Sequence, residues 1–239
     1  MNRDILVSWL DHANKELPRE SCGLLVIVKG RERYFPCKNL SPGCGQFTLD
    51  PLDYAKAESI GDVVAIFHSH PVTAPEPSEA DRIGCEKSGL PWYIINPVTK
   101  KWTVHEPQGY YPPLIGREWI WAVTDCWTLT RDWYKDHGIE IRDWNRPQTY
   151  EEFALSPYFD ESWEESGFFK VKLSEIQRGD AVLMALELNK INHCGVYVGD
   201  QRLLHHVRGR LSGHDFYGPM LQKSTARILR HHDWQRLTF

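Results

Sequence analysis

The 239-residue sequence contains no apolar run long enough to cross a bilayer as a helix, which excludes a helical membrane protein. It lacks the order of basic, apolar and small residues that marks a secretory leader. The opening stretch MNRDILVSWLDHANKELP is charged throughout, so the chain is expected to be made in the cytoplasm and to stay soluble unless something else carries it, with no membrane insertion. None of the six cysteines, at 22, 37, 44, 85, 126 and 194, forms a CxxC pair, which excludes a zinc ribbon. With no leader, free thiols are expected rather than a disulfide framework. Basic excess is also missing: the net charge is -4, and no nucleic-acid partner is expected. Internal repeats and low-complexity tracts are absent.

What remains is an ordinary globular composition, 41% hydrophobic and 25% charged, with ten Trp and ten Tyr that lie mostly beyond residue 91. This length suits one large domain or two small ones. A stretch of three prolines and two glycines, HEPQGYYPPLIGREW at 105–119, reads as extended linker and puts a boundary near 107–113. Two domains are therefore expected, 1–107 and 114–239.

The first segment opens with an amphipathic helix carrying Ile5, Leu6, Trp9, Leu10 and Ala13, stopped by Pro18. CGLLVIVKGRERYFP reads as a hairpin turning at Lys29-Gly30. A short helix follows with Asp50 as cap and Pro51 at its first position. DVVAIFHSH is a buried strand, SEADRIGCEKSG a helix with a glycine stop, and PWYIINPVTKKWTVHEP two strands. This order predicts an α/β sandwich. The second segment has a helix from about Asp125 to His137, an irregular acidic and aromatic stretch, then strands GDAVLMAL, HCGVYVGD and RLLHHV, which is an α+β order.

Two constellations carry chemistry. His68 and His70, two apart on a strand, point to one face and can meet one ion. Asp81, in the first turn of the next helix, completes a set of two histidines and a carboxylate, a common catalytic zinc set that leaves a position for water. Glu20, just before a strand of the same domain, is the natural general base. Taken singly, each has a plainer explanation. Histidines at strand ends are usually structural, Glu20 alone would be a surface carboxylate, and Ser78-x-x-Asp81 is a near variant of the capping box. Taken together, Glu20, then His68-Ser69-His70-Pro71, six residues, Ser78, two residues and Asp81 resemble the JAMM (MPN/Mov34-type) metalloprotease signature. The sequence around Glu20, P-x-E-x-C-G-L-L, fits its bacterial and phage members. The resemblance implies a cytidine-deaminase-like α/β sandwich, one zinc ion (Zn2+) on His68, His70 and Asp81, Glu20 as acid/base, Ser78 at the oxyanion, and cleavage of peptide or isopeptide bonds.

The second constellation starts at Cys126, behind Asp125 as helix cap, where the positive helix end lowers a thiol pKa. His193 and His205 lie on successive strands joined by a two-residue turn at Asp200-Gln201, so one histidine can orient the other. The default for any single cysteine is a small buried hydrophobe, and Cys22, Cys37, Cys44, Cys85 and Cys194 are left in that class. Cys194 and His206 should alternate away from His193 and His205. Asp125-Cys126, Leu129, Arg131, Tyr134, Gly179-Asp180, the run His193-Cys194-Gly195-Val196-Tyr197-Val198-Gly199, and His205 resemble the NlpC/P60 cysteine peptidases, which have a papain-like α+β fold. That resemblance implies Cys126 as nucleophile, His193 as base, His205 as orienting residue, and bacterial peptidoglycan stem peptides as substrate. Trp127 stands where the family has a small residue, which would reshape the substrate groove.

The two domains in this order resemble the tail-tip assembly protein K family of lambdoid phages. That likeness implies a phage tail protein with two peptidase domains, other tail-tip proteins as partners, and a place in the host cytoplasm during assembly or at the virion tail tip. A tail-assembly factor or a tail-protein processing protease is the alternative it leaves open.

Overall fold

The computed structural model describes residues 1–147, 149–161, 163–186 and 190–236; the last three residues of the expected second domain lie outside that set. The chain divides into two compact units, Met1–Tyr111 and Pro112–Phe239. Among the described residues, no helix is long and apolar enough to cross a membrane.

The first unit is built on helix α1 (Arg3–Glu16), hairpin β1 (Cys22–Val28) and β2 (Arg31–Cys37), helix α2 (Pro51–Ile60), strand β3 (Asp62–Ser69), helix α3 (Glu79–Ser88) and strands β4 (Trp92–Ile95) and β5 (Trp102–His105). Lys29 and Gly30, both at positive φ, make the tight hairpin turn. Asp50 caps α2 by accepting from Leu52 N, with Pro51 at the first position. The sheet order is β2-β1-β3-β4-β5. The β3–β4 pair is parallel, since α3 carries the chain across between them, and the other pairs are antiparallel. Ile5, Trp9 and Ala13 of α1 bury one face of the sheet against Leu25, Ala65, Phe67 and Ile95. Ala57 of α2 and Cys85 of α3 cover Leu24, Val26, Ile66 and Trp92 on the other. This is the expected α/β sandwich.

In the second unit, helix α4 (Cys126–Asp136) and the short helices α5 (Tyr150–Ala154) and α6 (Tyr158–Glu161) precede strands β6 (Phe168–Val171), β7 (Asp180–Met184), β8 (His193–Gly199), β9 (Arg202–His205) and β10 (Gly213–Phe216), helix α7 (Pro219–Ser224) and strand β11 (Thr225–His231). The sheet, ordered β10-β9-β8-β7-β11-β6, is antiparallel throughout. Leu129, Trp133 and Tyr134 of α4 pack on Leu183, Cys194, Val196, Leu204 and Leu229. Asp200 and Gln201, both at positive φ, turn β8 into β9. The sequence foretold β7, β8 and β9; β6, β10 and β11 are additions.

The proline-rich stretch is less free than its composition suggests. Gln108 N donates to Glu86 at 2.5 Å within the first unit. In the second, Arg117 is fully buried, with Nε donating to Pro113 O at 2.6 Å and Nη1 paired to Asp132 at 2.5 Å. The prolines here supply carbonyls to a buried guanidinium.

Candidate active sites

Register builds the first site. Cys22 pairs with His68 across the antiparallel β1–β3 ladder. The pairing extends past the strand ends, with Ser69 N donating to Ser21 O at 3.1 Å, which carries Glu20 opposite His70. Asp81 arrives by another route. Ser78 Oγ accepts from Asp81 N at 3.1 Å, and Asp81 Oδ2 accepts from Ser78 N at 2.7 Å, a reciprocal capping box that fixes the carboxylate at the head of α3. Its oxygens then lie 3.1 Å from His68 Nε2 and 3.2 Å from His70 Nε2. The two Nε2 atoms are themselves 3.1 Å apart. All five residues expected at this site are brought together, and His68, His70 and Asp81 offer donor atoms within 4.8 Å of one another.

This donor set fits a divalent cation. His70 Nδ1 faces the carbonyl of Ala74 at 3.0 Å, so its proton belongs on Nδ1 and its Nε2 presents a lone pair. That lone pair points at a second imidazole nitrogen and a carboxylate, three donor atoms that one cation can bind together. Phe47 stacks on the His68 ring at 4.8 Å and Trp92 meets its edge at 5.4 Å, which fixes the ring plane. Glu20 is 6% exposed, and burial raises its carboxyl to about 7 despite the favourable charge of His70. A carboxyl at that value can accept and return a proton near neutrality.

The second site is built on the start of α4. Asp125 Oδ1 accepts from Thr128 N at 2.9 Å, so Cys126 is the first helical residue, at the positive helix end. Asp125 is fully buried; its Oδ2 accepts from Ala122 N at 2.8 Å and pairs with Arg146, which also reaches Thr128 Oγ1 at 3.1 Å. His193 and His205 are joined by a 3.0 Å contact between His193 Nε2 and His205 Nδ1. Gly195, paired with His205 across the β8–β9 ladder, has no room for a side chain: a Cβ would lie 2.7 Å from His205 Cβ and 2.7 Å from Leu204 O.

The Cys126 thiol is drawn below its ordinary range, chiefly by the Cys194 thiol beside it, then by His193, with burial opposing both. Cys194 is fully buried with Val196 against α4, the face expected of it, and its thiol also lies beside that of Cys126 at the head of the helix. Thr130 strengthens the link, with Oγ1 donating to Cys126 O at 2.9 Å and lying 3.5 Å from Cys194 Sγ. Cys44 corrects the expectation of burial: it is exposed, because Pro42-Gly43-Cys44-Gly45 lies in bends outside the strands. Trp127 turns into the core, stacked on Trp144 at 4.2 Å with Nε1 donating to Asp143.

Sequence reasoning missed the groups behind His205. His205 Nε2 lies 3.0 Å from Asp215 Oδ2, and Arg210 forks onto the same carboxylate at 3.0 and 3.1 Å. The only sequence signal was alternation: Gly213 pairs with His205, and Asp215 is two residues on. It becomes readable only once β10 is recognised as a strand.

Residues 116–230 match the NlpC/P60 family, and residues 3–106 match the prokaryotic homologs of the JAB domain. Over nearly its whole length the chain is similar to Tail tip assembly protein K of Escherichia phage N15, 36% identical over 236 residues, covering 98% of this chain and 96% of the relative. The protein of the same name from Escherichia phage lambda is 37% identical over 191 residues, 80% of this chain and 93% of its own. Among solved structures, a protein from Desulfitobacterium hafniense is 28% identical, covers 43% of this chain and 78% of that one, and has a TM-score of 0.38.

Proposed function

The chain belongs to the phage tail tip assembly protein K family, with an N-terminal JAB/MPN-like domain and a C-terminal NlpC/P60 domain, and from that premise we propose that it hydrolyses peptide bonds at two separate sites. Its role is in tail-tip assembly, in the host cytoplasm and among other tail-tip proteins, with local cutting of host peptidoglycan stem peptides by the second domain.

The observation that carries this reading is Cys126 at the head of α4 beside the His193–His205 pair, a nucleophile, a base and an orienting group in one place. The Cys126 thiolate attacks the carbonyl carbon of the stem peptide. His193 passes a proton to the departing amine, and then takes one from the water that releases the acyl group. The positive end of α4 favours the negative charge that develops on the carbonyl oxygen.

In the first domain, His68, His70 and Asp81 are the residues that would hold a zinc ion. Bound there, zinc supplies Lewis acidity toward a peptide carbonyl and toward water. Glu20 accepts a proton from water and returns it to the leaving amine. Ser78, whose oxygen already accepts from Asp81 N, has its hydroxyl hydrogen left to donate to an oxyanion.

A second reading, in which the first domain trims another tail protein, is favoured by an apolar cavity of about 370 Å3 lined by Phe47, Leu49, Pro51, Tyr54, Ile66 and Trp92. Phe47 and Trp92 also touch the His68 ring, so the cavity adjoins the metal set and suits a bulky apolar side chain of a protein substrate.

Digestion of purified sacculi by wild type, Cys126→Ala and Glu20→Gln, with products read by mass, tests both. Wild type and Glu20→Gln should release stem peptides and Cys126→Ala none. Equal release by Cys126→Ala rejects the cysteine assignment. If the first domain processes a tail protein, phage carrying Glu20→Gln will contain one tail component of higher mass.

A further inference from the structure

We propose that Asp215 is a positioning residue that sets the direction of the proton path through His205 and His193 to Cys126. The inference rests on the reading of Cys126 as the nucleophile and adds what decides the tautomer of each imidazole.

A neutral imidazole carries one N–H, and which nitrogen holds it is fixed by the partner of the other. Two adjoining histidines can be arranged either way round. With Nδ1–H on His205, its donor would face His193 Nε2, forcing the His193 proton onto Nδ1. With Nε2–H on His205, its Nδ1 would accept from His193 Nε2–H, leaving His193 Nδ1 as a lone pair. Only the second arrangement gives His193 a free acceptor for the thiol proton, because its Nε2 is committed to His205 at 3.0 Å.

Asp215 selects the second arrangement. An ionised carboxylate only accepts. Its Oδ2 lies 3.0 Å from His205 Nε2, so that nitrogen must donate. The carboxylate is kept ionised and in place by Arg210, whose two amino groups bind its two oxygens at 3.0 and 3.1 Å. His205 is 4% exposed, and burial, then the charge of His193, holds it down to about 4, so it stays neutral near pH 7 and retains one proton to place. The register of the β9–β10 ladder, Gly213 opposite His205, is what delivers Asp215 to this point.

The role differs from a simple ion pair with Arg210, and the difference is testable. In Asp215→Ala the acceptor disappears and His205 is free to take either tautomer. In Asp215→Asn the charge disappears but an acceptor survives. The Oδ2 position faces two donors, His205 Nε2–H and Arg210 Nη1–H, so the amide turns its oxygen there. An acceptor role is therefore rescued by Asn, and an ionic role is not.

The experiment has two arms on the full chain. The first reads the tautomer of His205 in 15N-histidine-labelled wild-type protein by long-range 1H–15N correlation, assigned against His205→Ala. Protonation at Nε2 is expected, and protonation at Nδ1 overturns the proposal without any variant. The second measures kcat and KM for stem-peptide release. Asp215→Ala should lower kcat by roughly tenfold to a hundredfold, less than the loss of a general base itself, with KM nearly unchanged. Asp215→Asn should recover most of that rate. Equal losses in the two variants, or no loss in either, reject the positioning role. If wild type releases no stem peptide, the substrate assignment fails while the tautomer arm still decides the proton path.

Discussion

Few atoms separate a reactive Cys126 from an inert one. Gly195 shows how tightly the surroundings are set: any Cβ there runs into His205 and the Leu204 carbonyl. Gly195→Ala should push His205 away from His193, destabilise the fold by about 1–3 kcal/mol in urea unfolding, and remove most stem-peptide release. Wild-type stability in that variant would mean that the two strands separate without cost. At this scale the sequence was informative where chemistry repeats in a recognisable spacing. Glu20, His68, His70, Ser78 and Asp81 are read directly, and the structure brings all five together. It was less informative where a contact depends on how two elements meet. Cys194 follows the candidate base, and nothing in its position along the strand says that it reaches the nucleophile.

Helix starts do most of the positioning at the scale of elements. Both α3 and α4 begin with a side-chain cap in which a carboxylate, Asp81 or Asp125, also supports the site. At α3 the Ser78–Asp81 exchange aims the carboxylate at the histidines. Ser78→Ala should cost about 1 kcal/mol of stability through the lost cap. It should also weaken metal affinity, because Asp81 loses one of the bonds that hold it; unchanged metal affinity would separate cap from site. At α4 the buried Asp125 holds Thr128 N and pairs with Arg146, whose side chain is 5% exposed. Asp125→Ala should cost about 3–5 kcal/mol, because it leaves a buried guanidinium with the half-exposed Asp143 as its remaining carboxylate partner among the described residues. These caps were legible, since helix starts have a local code. The outer strands were not. Strand β10, Gly-His-Asp-Phe, alternates half-buried and exposed positions with no apolar run, and β11 is interrupted by arginines, one of which is paired to the buried Asp180 at 2.7 Å. Their place is decided by ladder partners far away in sequence.

Across the whole molecule, each unit has its own core and its own candidate site, assembled from strands and a helix start of that unit. The two chemistries should therefore be separable. Purified protein should carry about one zinc per chain by elemental analysis, and replacing both His68 and His70 by Ala should remove it. Stem-peptide release by that double variant should stay within about twofold of wild type, as expected for sites built from separate sets of residues. A parallel loss of metal and of stem-peptide release would instead show that one domain depends on the other.

The central claim, that Cys126 is an activated nucleophile, is tested most directly by brief alkylation with iodoacetamide at pH 6 followed by peptide mapping. An ordinary thiol is only about 0.3% thiolate at that pH. Cys44 is exposed and Cys126 is 4% exposed, so access alone favours Cys44. The account predicts that Cys126 is labelled first. Labelling of Cys44 with Cys126 untouched would contradict it.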